Sequence, residues 1–313
     1  MKKTALIIGG AGFVGSYLAE YLHDTCGYFV NSTKLEHETL QSPYGEVYNL
    51  DILNQKEIED LLEEMKPDCI FHLAAQSSVA LSWKKPQLTV DINVKGVVNL
   101  LEALRNISYP GRVLLIGSGE EYGVIKEDEC PITEENVLRP GNIYAATKAC
   151  QNLLGSIYAK AYQLDIVMVR AFNHVGPNQI PQFVVADFCS QVAAIEKGEK
   201  PPEIHVGNLS AKRDFTDVRD VAAAYAALIE KGKSGEIYNV GSGKAIAVED
   251  ILNQILSFTK EEIKVIIEKE KFRPVDVPII EADITKLVKD TGWERKIPLK
   301  QTLQETLDYW RKQ

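Results

Sequence analysis

Short apolar runs recur along the first half of the chain and predict the strands of a sheet. They are TALIIGG from Thr4, YFVNS from Tyr28, EVYNLD from Glu46, CIFHLAA from Cys69, RVLLIGS from Arg112 and IVMVRAF from Ile166. Segments of helical period lie between several of them, such as FVGSYLAEYLHD from Phe13. Strands that alternate with helices build right-handed crossover units, so the pattern predicts an α/β fold with a Rossmann-type, doubly wound parallel sheet.

The alternating rhythm changes after Phe172 and predicts a second, smaller α/β domain that interrupts the first. The stretches NHVGPNQIP and KGEKPPEIHVGN are rich in glycine, proline and asparagine, and alternation returns in DVRDVAAAYAALIE and EIYNVGS. The chain ends in an amphipathic helix whose apolar face carries Leu299, Leu303, Leu307 and Trp310. We predict one domain over residues 1–172 and 214–246 and a discontinuous one over 173–213 and 247–313.

Charge and composition limit what the protein can bind. A net charge of −9 disfavours nonspecific nucleic-acid binding, which needs a cationic surface, so a phosphate-bearing ligand must meet local cations. The five cysteines show no C-x-x-C pattern and the five histidines are scattered, so we expect reduced thiols and no metal site. We see no signal peptide or membrane-spanning run and expect a cytoplasmic location without membrane contact.

The stretch GGAGFVG carries glycines at a spacing typical of dinucleotide-binding turns, with a predicted strand before it and a predicted helix after it. Residues without a Cβ let backbone N–H groups approach a pyrophosphate, which then lies at the positive end of the helix. A tight turn without a ligand is the alternative, but the flanking strand and helix favour a nucleotide. We predict cofactor contacts from Gly9, Gly12, Phe13, Val14 and Gly15.

The end of the second strand bears on which nicotinamide cofactor binds. NAD sites usually place an acid about 20 residues beyond the glycines, on the ribose hydroxyls. Here the strand ends FVNSTK and offers no acid. Because a carboxylate would repel a ribose phosphate and Lys34 would attract one, we favour NADP(H), with NAD(H) as the alternative. We predict cofactor contacts from Asn31, Ser32 and Lys34, although Lys34 also fits a solvated loop lysine.

The motif YAATK places Tyr144 and Lys148 one turn apart on a helix face. A phenol titrates near a pH of about 10, and a nearby ammonium lowers that pKa, which would suit Tyr144 to general acid–base catalysis. Chance produces many such pairs, but this one follows the glycine turn and a strand that ends in GS. We predict that Ser118 supplies a hydroxyl that orients the reacting oxygen.

Together these motifs resemble the extended short-chain dehydrogenase/reductases, which modify nucleotide sugars. The resemblance covers essentially the full length and includes the glycine turn, HLAA, DVRDV and the triad of Ser118, Tyr144 and Lys148. The strings RAFNHVGPNQ, VGNLSAKRDFTDVRD and FRPVDVP resemble the branch of GDP-mannose dehydratases and GDP-6-deoxy-mannose reductases. The resemblance implies that the first predicted domain binds NADP(H) and the second binds a GDP-sugar.

The resemblance also implies roles for single residues. Asp51 and Ile52 would lie by the cofactor adenine, and the pyrophosphate and nicotinamide would lie along Leu73, Ala74, Ala75, Gln76, Tyr144, Lys148 and Phe172. The sugar nucleotide would contact Ser118, Glu120, Asn173, Asn208, Arg213 and Arg273. Arginines on the diphosphate agree with the need of an acidic protein for local cations, although Arg213 beside Asp214 also fits a surface ion pair. We interpret His174 as a structural loop histidine.

Residue Glu120 distinguishes two enzymes of this branch. In the family's 4,6-dehydratases the hydroxyl residue precedes an Asp or Ser acid and then a Glu base. Here Gly119 has no side chain to protonate a leaving hydroxyl, a loss worth about 10² to 10⁴ in rate. We therefore predict a reductase that converts the carbon 4 ketone of GDP-4-keto-6-deoxy-D-mannose to GDP-D-rhamnose, with Tyr144 as general acid and Glu120 as an accessory.

Three alternatives to the reductase stay open. The first is a GDP-mannose 4,6-dehydratase that uses another acid at Gly119, and the second is a 4-epimerase whose cofactor never leaves. The third is a non-catalytic dinucleotide-binding sensor, which would have no need of Ser118, Tyr144 and Lys148 together. The resemblance further implies a homodimer through a four-helix bundle, built from the helix beginning near Asp91 and the helix that carries Tyr144. The apolar faces of these two helices also fit burial in the core of a single subunit.

Overall fold

The computed structural model describes residues 2–271 and 277–313, in which β-strands alternate with α-helices through most of the chain. The strands are β1 (Thr4–Ile8), β2 (Phe29–Lys34), β3 (Val47–Asn49), β4 (Cys69–His72), β5 (Arg112–Ser118), β6 (Ile166–Ala171), β7 (Asn173–Val175), β8 (Glu203–Val206), β9 (Lys212–Asp217), β10 (Ile237–Val240), β11 (Ala245–Ala247), β12 (Lys264–Ile267) and β13 (Ile279–Ile280). The α-helices are α1 (Phe13–Asp24), α2 (Gln55–Met65), α3 (Val79–Lys84), α4 (Pro86–Val90), α5 (Gly96–Asn106), α6 (Ile143–Tyr162), α7 (Val184–Glu196), α8 (Val218–Lys231), α9 (Val248–Leu256), α10 (Thr285–Thr291) and α11 (Leu299–Arg311).

The largest sheet is parallel and has the strand order β10-β6-β5-β4-β1-β2-β3. Its order reverses between β1 and β4, the point at which ligands of doubly wound sheets bind beyond the carboxyl ends of the strands. The six apolar runs quoted from the first half of the chain supply β1 to β6. The predicted Rossmann-type sheet is therefore confirmed.

Helices cover both faces of this sheet, which explains why its inner strands β1, β4, β5 and β6 are mostly apolar. Along β1, Ala5 and Ile7 face a core that α1 and α8 complete. The alternate residues Leu6 and Ile8 face a second core, formed with α2, α5 and α6. Two buried faces demand apolar residues on both sides of the period-two strand, so a continuous run is the expected pattern.

A third core lies in the later part of the chain, where α7, α9 and α11 pack together with β8 and β9. Strand β9 pairs with β7, β11 and β13, and β8 pairs with β12. Leu303 and Leu307 are fully buried there, which confirms the predicted apolar face of the last helix. The domain boundaries stay a prediction, since Leu287 and Trp293 of the stretch 247–313 pack into the core that α1 and α8 complete.

The helix predicted to begin near Asp91 starts earlier than expected. Helix α4 runs from Pro86 directly into a π-helical stretch, Asp91–Lys95, and then into α5. The extra residue of a π-turn re-aims side chains, and such turns occur often at functional sites. Here the stretch buries the polar side chain of Asn93 completely. The apolar periodicity of the sequence carries no signal for such a local change of hydrogen bonding.

Within the described ranges, no α-helix is both long enough and apolar enough to cross a bilayer. The same part of the chain contains no group of three or more His, Cys, Asp or Glu side chains placed to hold a metal ion. Four of the cysteines are free thiols, namely Cys26, Cys69, Cys150 and Cys189.

Candidate active site

The glycine turn between β1 and α1 is too close to its neighbours to admit side chains. Gly9 adopts a φ of +85°, and a Cβ there would lie 2.6 Å from the backbone nitrogen of Ala74. A Cβ on Gly15 would lie 2.1 Å from the carbonyl oxygen of Gly10. The N–H of Gly9 donates to Oγ1 of Thr33 at 3.1 Å, which fixes the turn against β2. The result is a cradle of bare backbone, as a pyrophosphate requires.

Helix α1 presents its N-terminus to this cradle. Gly12 is the N-cap residue and has no capping side chain, so the positive end of the helix is available to an anion. The ring of Phe13 stacks on the imidazole of His174, with centroids 6.0 Å apart and planes 7° apart, while Val14 packs towards the α1–α8 core. Nδ1 of His174 lies 3.2 Å from the carbonyl oxygen of Phe172. These contacts fit the predicted structural role of His174, which lies in β7 rather than in a loop.

The predicted residues at the end of β2 have different environments. Asn31 and Ser32 are buried, and Oδ1 of Asn31 accepts a hydrogen bond from the backbone N–H of Glu46 at 3.0 Å. Ser32 lies against the glycine turn, because a Cβ placed on Gly10 would come 2.8 Å from the Cβ of Ser32. The ammonium of Lys34 donates to two carbonyl oxygens of the following loop, at 3.3 and 3.5 Å. Lys34 thus lies at the carboxyl end of β2 and contacts the loop that follows the strand.

The two residues predicted at the adenine follow β3. Asp51 is exposed, and its Oδ1 accepts a hydrogen bond from the N–H of Leu53 at 2.9 Å. Ile52 is buried against Gly96, where a Cβ would come 2.6 Å from Cδ1 of Ile52. Nδ2 of Asn99 donates to the carbonyl of Ile52 at 3.0 Å. Ile52 therefore has an apolar environment against α5, while the Asp51 side chain stabilises its own turn.

The segment after β4 lies directly over the glycine turn. The N–H groups of Leu73 and Ala74 both donate to the carbonyl of Ile8 at 2.9 Å. Ala75 and Gln76 follow this double contact and continue away from the sheet edge. The carboxyl ends of β1 and β4 thus meet at the switch point, and four of the predicted cofactor residues lie there.

Asn93 connects this segment to the helix that carries the tyrosine, a role that we did not predict. Its Oδ1 accepts from the N–H of Gln76 at 2.8 Å, and its Nδ2 donates to the Gln76 carbonyl and to Oγ1 of Thr147, each at 3.0 Å. Gln76 in turn donates to Oγ1 of Thr89 at 2.9 Å. All four side chains are buried, so their hydrogen bonds fix the loop relative to α6.

The predicted triad comes together at the carboxyl end of β5. Asn142 is the N-cap residue of α6, and its Oδ1 accepts the N–H of Ala145 at 2.8 Å; the helix presents Tyr144 and Lys148 to the strand. The Ser118 hydroxyl lies near enough to the Tyr144 phenol to favour its ionised form. Nζ of Lys148 donates to the carbonyl of Ile116 on β5 at 2.7 Å. The geometry therefore groups a hydroxyl, a phenol and an ammonium beside the cofactor cradle.

Burial controls the protonation of this triad. It raises the pKa of Tyr144, while the Ser118 hydroxyl opposes the shift and Glu120 and Glu121 add to it. This direction is opposite to our expectation that the ammonium of Lys148 would lower the pKa, because loss of hydration dominates for a phenol at this depth. Burial also lowers the pKa of Lys148 to about 8, against the opposing effect of Glu121.

The stretch between Ser118 and Tyr122 forms a 3₁₀ turn that presents Glu120 towards the start of α6. Oε2 of Glu120 accepts a hydrogen bond from Nδ2 of Asn142 at 3.2 Å, and the N–H of Glu120 donates to Oγ of Ser118 at 3.2 Å. A Cβ on Gly119 would lie 3.2 to 3.3 Å from three ring carbons of Phe172. A side chain at position 119 would therefore push against this buried ring.

A buried ion pair behind the turn was not predicted. The side chains of Glu121 and Arg170 are almost completely buried and meet at 3.0 Å. The other oxygen of Glu121 accepts the N–H of Ser118 and Nδ2 of Asn152, both at 2.8 Å. Nη1 of Arg170 donates to the hydroxyl of Tyr122 at 3.0 Å. Through the bond from the Ser118 N–H to Glu121, this network fixes the backbone at Ser118.

The residues predicted at the sugar nucleotide lie partly apart from the triad. Asn173 begins β7 and is exposed next to Phe172. Oδ1 of Asn208 accepts from Ser210 after β8, and Nη1 of Arg213 donates to the Val277 carbonyl at 2.7 Å. Arg273 lies outside the described residues.

The sequence also fits a surface ion pair between Arg213 and Asp214, but the structure gives the Asp214 carboxylate backbone partners. The carboxylate of Asp214 is fully buried and accepts three backbone N–H groups, from Ser242 at 2.7 Å, Gly243 at 3.0 Å and Ala282 at 3.2 Å. Successive residues of a strand point to opposite faces, so Asp214 supports the backbone while Arg213 extends from the other face of β9.

Comparison with known proteins agrees with this geometry. The family model for GDP-mannose 4,6 dehydratase matches residues 6–306. The chain is 31% identical over 310 residues to GDP-6-deoxy-D-mannose reductase of Pseudomonas aeruginosa, covering 99% of this chain and 98% of that one. It resembles the structure of RMD from Pseudomonas aeruginosa complexed with NADPH, with 30% identity, a TM-score of 0.88 and 99% of each chain covered. It also resembles the UDP-glucose 4-epimerase of Thermus thermophilus in complex with NAD, with 29% identity, a TM-score of 0.86 and coverage of 98% and 99%. The chain therefore belongs to the GDP-mannose 4,6 dehydratase family, within the extended short-chain dehydrogenase/reductases.

Proposed function

We propose that the protein is a nucleotide-sugar 4-ketoreductase that reduces GDP-4-keto-6-deoxy-D-mannose to GDP-D-rhamnose. The observation that carries the proposal is the grouping of Ser118, Tyr144 and Lys148 beside the glycine cradle, with Gly119 against the Phe172 ring. The similarity to GDP-6-deoxy-D-mannose reductase over nearly the whole chain supports the choice of substrate.

The triad can perform the proton transfer that ketone reduction needs. The phenol of Tyr144 stays protonated at neutral pH because its pKa is raised, so it can donate to the developing alkoxide. The Ser118 hydroxyl orients the sugar oxygen beside that phenol. Lys148 contributes a positive charge next to the reacting centre when it is protonated, which favours the developing anion.

The cofactor proposed for this site is a nicotinamide dinucleotide. The cradle of Gly9, Gly12 and Gly15 would hold its pyrophosphate, and Phe172 and the segment after β4 would line its nicotinamide end. When bound in reduced form, it supplies the hydride for carbon 4. We favour NADPH because β2 ends without an acid and with Lys34, and because RMD of Pseudomonas aeruginosa was solved with NADPH.

The strongest competing function is dehydration, because Glu120 matches the position of a dehydratase base. Elimination also needs an acid that protonates the leaving hydroxyl on carbon 6. The tight contact between position 119 and the Phe172 ring leaves little room for such a side chain. We therefore assign Glu120 an accessory role, in which it holds Asn142 and with it the first turn of α6.

The direct test supplies purified protein with NADPH and GDP-4-keto-6-deoxy-D-mannose and follows the absorbance of reduced nicotinamide. Steady loss of absorbance in a one-to-one ratio with product establishes the reductase. Constant absorbance, together with conversion of GDP-mannose to a keto sugar, would establish the dehydratase instead. Only a reductase releases oxidised cofactor in every cycle, so turnover beyond the enzyme concentration also separates it from an epimerase.

We further propose a homodimer in which α5 and α6 of each subunit form a four-helix bundle. The outer face of α6 exposes Leu153 and Ile157, and Val90 is exposed where α4 meets the π-helical stretch. Exposed apolar side chains grouped on adjacent helices are typical of a surface that a partner covers. We keep the cytoplasmic location as a proposal, supported by free thiols such as Cys26 and Cys150.

A further inference from the structure

A cavity of about 550 Å³ lies beside β8, between α7 and the segment after β12. This volume lies in the range of roughly 300 to 1,000 Å³ that is typical of small-molecule sites. Two acids, two lysines, a glutamine and a histidine line this cavity: Asp187, Glu268, Lys200, Lys271, Gln191 and His205.

The cavity adjoins the residues proposed for the sugar nucleotide. Strand β8 ends in Val206 and is followed by Gly207 and Asn208, and a Cβ on Gly207 would lie 3.2 Å from the carbonyl oxygen of Lys271. Nη1 of Arg213 donates to the carbonyl of Val277. A diphosphate bound by Arg213 and by Asn208, which follows Gly207, would therefore lie beside this cavity.

Asp187 is held in place within the cavity wall. Gln191, one turn further along α7, donates from Nε2 to Oδ2 of Asp187 at 3.0 Å. Gln191 is itself buried and forms hydrogen bonds with both the N–H and the carbonyl of His205 on β8. Within the described part of the chain, no side chain donates to Oδ1 of Asp187. Gln191 thus orients the carboxylate of Asp187 through Oδ2. Oδ1 remains available to a ligand, and both oxygens can accept further hydrogen bonds.

We propose that Asp187 is the residue that selects guanine, by accepting the N1–H and the 2-amino group of the base. The inference rests on the proposed function, which places a GDP-sugar in this site. A carboxylate accepts hydrogen bonds only, and guanine is the common base whose edge presents two adjacent donors at a matching distance. Uracil and thymine place carbonyl oxygens beside their single N–H, and these would face the carboxylate unfavourably. The same chemistry excludes adenine, whose edge combines one amino group with a ring acceptor.

The two lysines of the cavity suit the rest of the nucleotide. Lys271 donates to the carbonyl of His205 at 2.8 Å and lies 3.4 Å from Glu268, so its ammonium is fixed at the wall. Burial raises the pKa of Asp187, while Lys271, the hydrogen bond from Gln191 and Lys200 oppose the shift and Glu268 adds to it. An ionised Asp187 is the form that can accept both guanine donors.

The first experiment measures binding of GDP, IDP and UDP to the purified protein by titration calorimetry. IDP lacks the 2-amino group and thus one charge-assisted hydrogen bond, so we expect it to bind about 10- to 100-fold more weakly than GDP. UDP is expected to bind more weakly still. Equal affinity for GDP and IDP would overturn the inference while leaving the reductase assay unaffected. Absence of binding by every nucleoside diphosphate would overturn the inference and the proposed function together.

The second experiment tests Asp187→Asn, which keeps the size of the side chain and places a donor beside an acceptor. This pattern matches xanthine, whose carbon 2 carries an oxygen in place of the amino group. We expect the variant to lose its preference for GDP over IDP and to bind xanthosine diphosphate about tenfold or more tightly than the wild type does. A residue with a merely structural role would not produce this gain.

Glu268→Gln is the matched control, since Glu268 is the other carboxylate of the cavity. We expect it to leave the ratio of GDP to IDP affinity unchanged. If Asp187→Asn weakened GDP, IDP and UDP equally without gaining xanthosine diphosphate, the carboxylate would bind the ribose and the inference would be wrong. A change of base preference in Glu268→Gln alone would transfer the role to Glu268 and also overturn it. Retained NADPH binding shows that each variant is folded.

Discussion

At the scale of single residues, Tyr144 is the group on which the proposed reduction depends. Its phenol is buried near the Ser118 hydroxyl and is protonated at neutral pH, which suits a proton donor. Tyr144→Phe removes only the hydroxyl, so we expect kcat to fall about 10²- to 10⁴-fold. NADPH affinity, measured by fluorescence titration, should change little. Retained turnover would show that another group supplies the proton.

The second prediction concerns Glu120, which bonds to Asn142 and matches the position of a dehydratase base. Glu120→Gln keeps an oxygen that can accept from Asn142 and removes the basic carboxylate. We expect the variant to keep a substantial part of its reductase turnover with NADPH and the keto sugar. Complete loss of reduction would contradict the accessory role and return Glu120 to the chemical step.

Lys148 gives a prediction for the pH dependence of stability. Burial lowers its pKa from 10.5 in the unfolded chain to about 8 in the fold. Between these values the unfolded state binds more protons than the folded state, so the free energy of unfolding rises with pH. The penalty for burying the charge is fully present below pH 8 and is relieved as the pH rises towards 10.5.

We expect the wild type to gain stability relative to Lys148→Met across this window, by about 3 kcal/mol in total. Urea unfolding at a series of pH values between 7 and 10 measures the difference. Lys289→Met, at an exposed position of α10, is the control and should show a much flatter difference. A pH-independent difference between wild type and Lys148→Met would show that Lys148 keeps its ordinary pKa.

At the scale of elements, the strands of the large sheet could be predicted because burial on both faces leaves a plain apolar run. The glycine turn and the Tyr144 helix could be predicted because their chemistry requires particular residues at fixed spacing. The network of Glu121 and Arg170 could not be predicted, since its partners lie 49 positions apart and only the parallel pairing of β5 with β6 brings them together. Asn93 could not be predicted either, because its role depends on a π-turn, which leaves no apolar pattern in the sequence.

That network gives a prediction for the 3₁₀ turn Gly119–Tyr122. Glu121→Gln leaves the charge of Arg170 buried without its partner, which typically costs about 3 to 5 kcal/mol. We expect a large loss in the free energy of unfolding by urea. Glu120→Gln, one residue earlier and partly exposed, serves as the matched variant and should cost little. Similar losses for the two variants would contradict a special role of the buried pair.

At the scale of the whole molecule, the proposed ligand contacts of the acidic chain fall into two regions. The cradle and the triad lie at the carboxyl edge of the large sheet, where residue types and spacing make them recognisable from sequence. The cavity with Asp187 lies between α7 and the short strands β8 and β12, whose pairing joins distant segments, so its walls could not be predicted from sequence. The proposed function and the inference for Asp187 together assign the reacting sugar to the first region and the base to the second.

The last prediction concerns assembly. Leu153 and Ile157 lie one turn apart on α6 and are 60% and 56% exposed, although both are strongly apolar. The proposed four-helix bundle would cover both side chains. The double variant Leu153→Asp and Ile157→Asp then places two charges from each subunit in a dry interface, which strongly opposes association. We expect light scattering after gel filtration to show a dimer for the wild type and a monomer for this variant.

Val137→Asp is the control, because Val137 is 62% exposed in a loop outside these helices and its substitution should leave the dimer intact. A wild type that is monomeric, or a dimer that survives both α6 charges, would show that another surface or none mediates assembly.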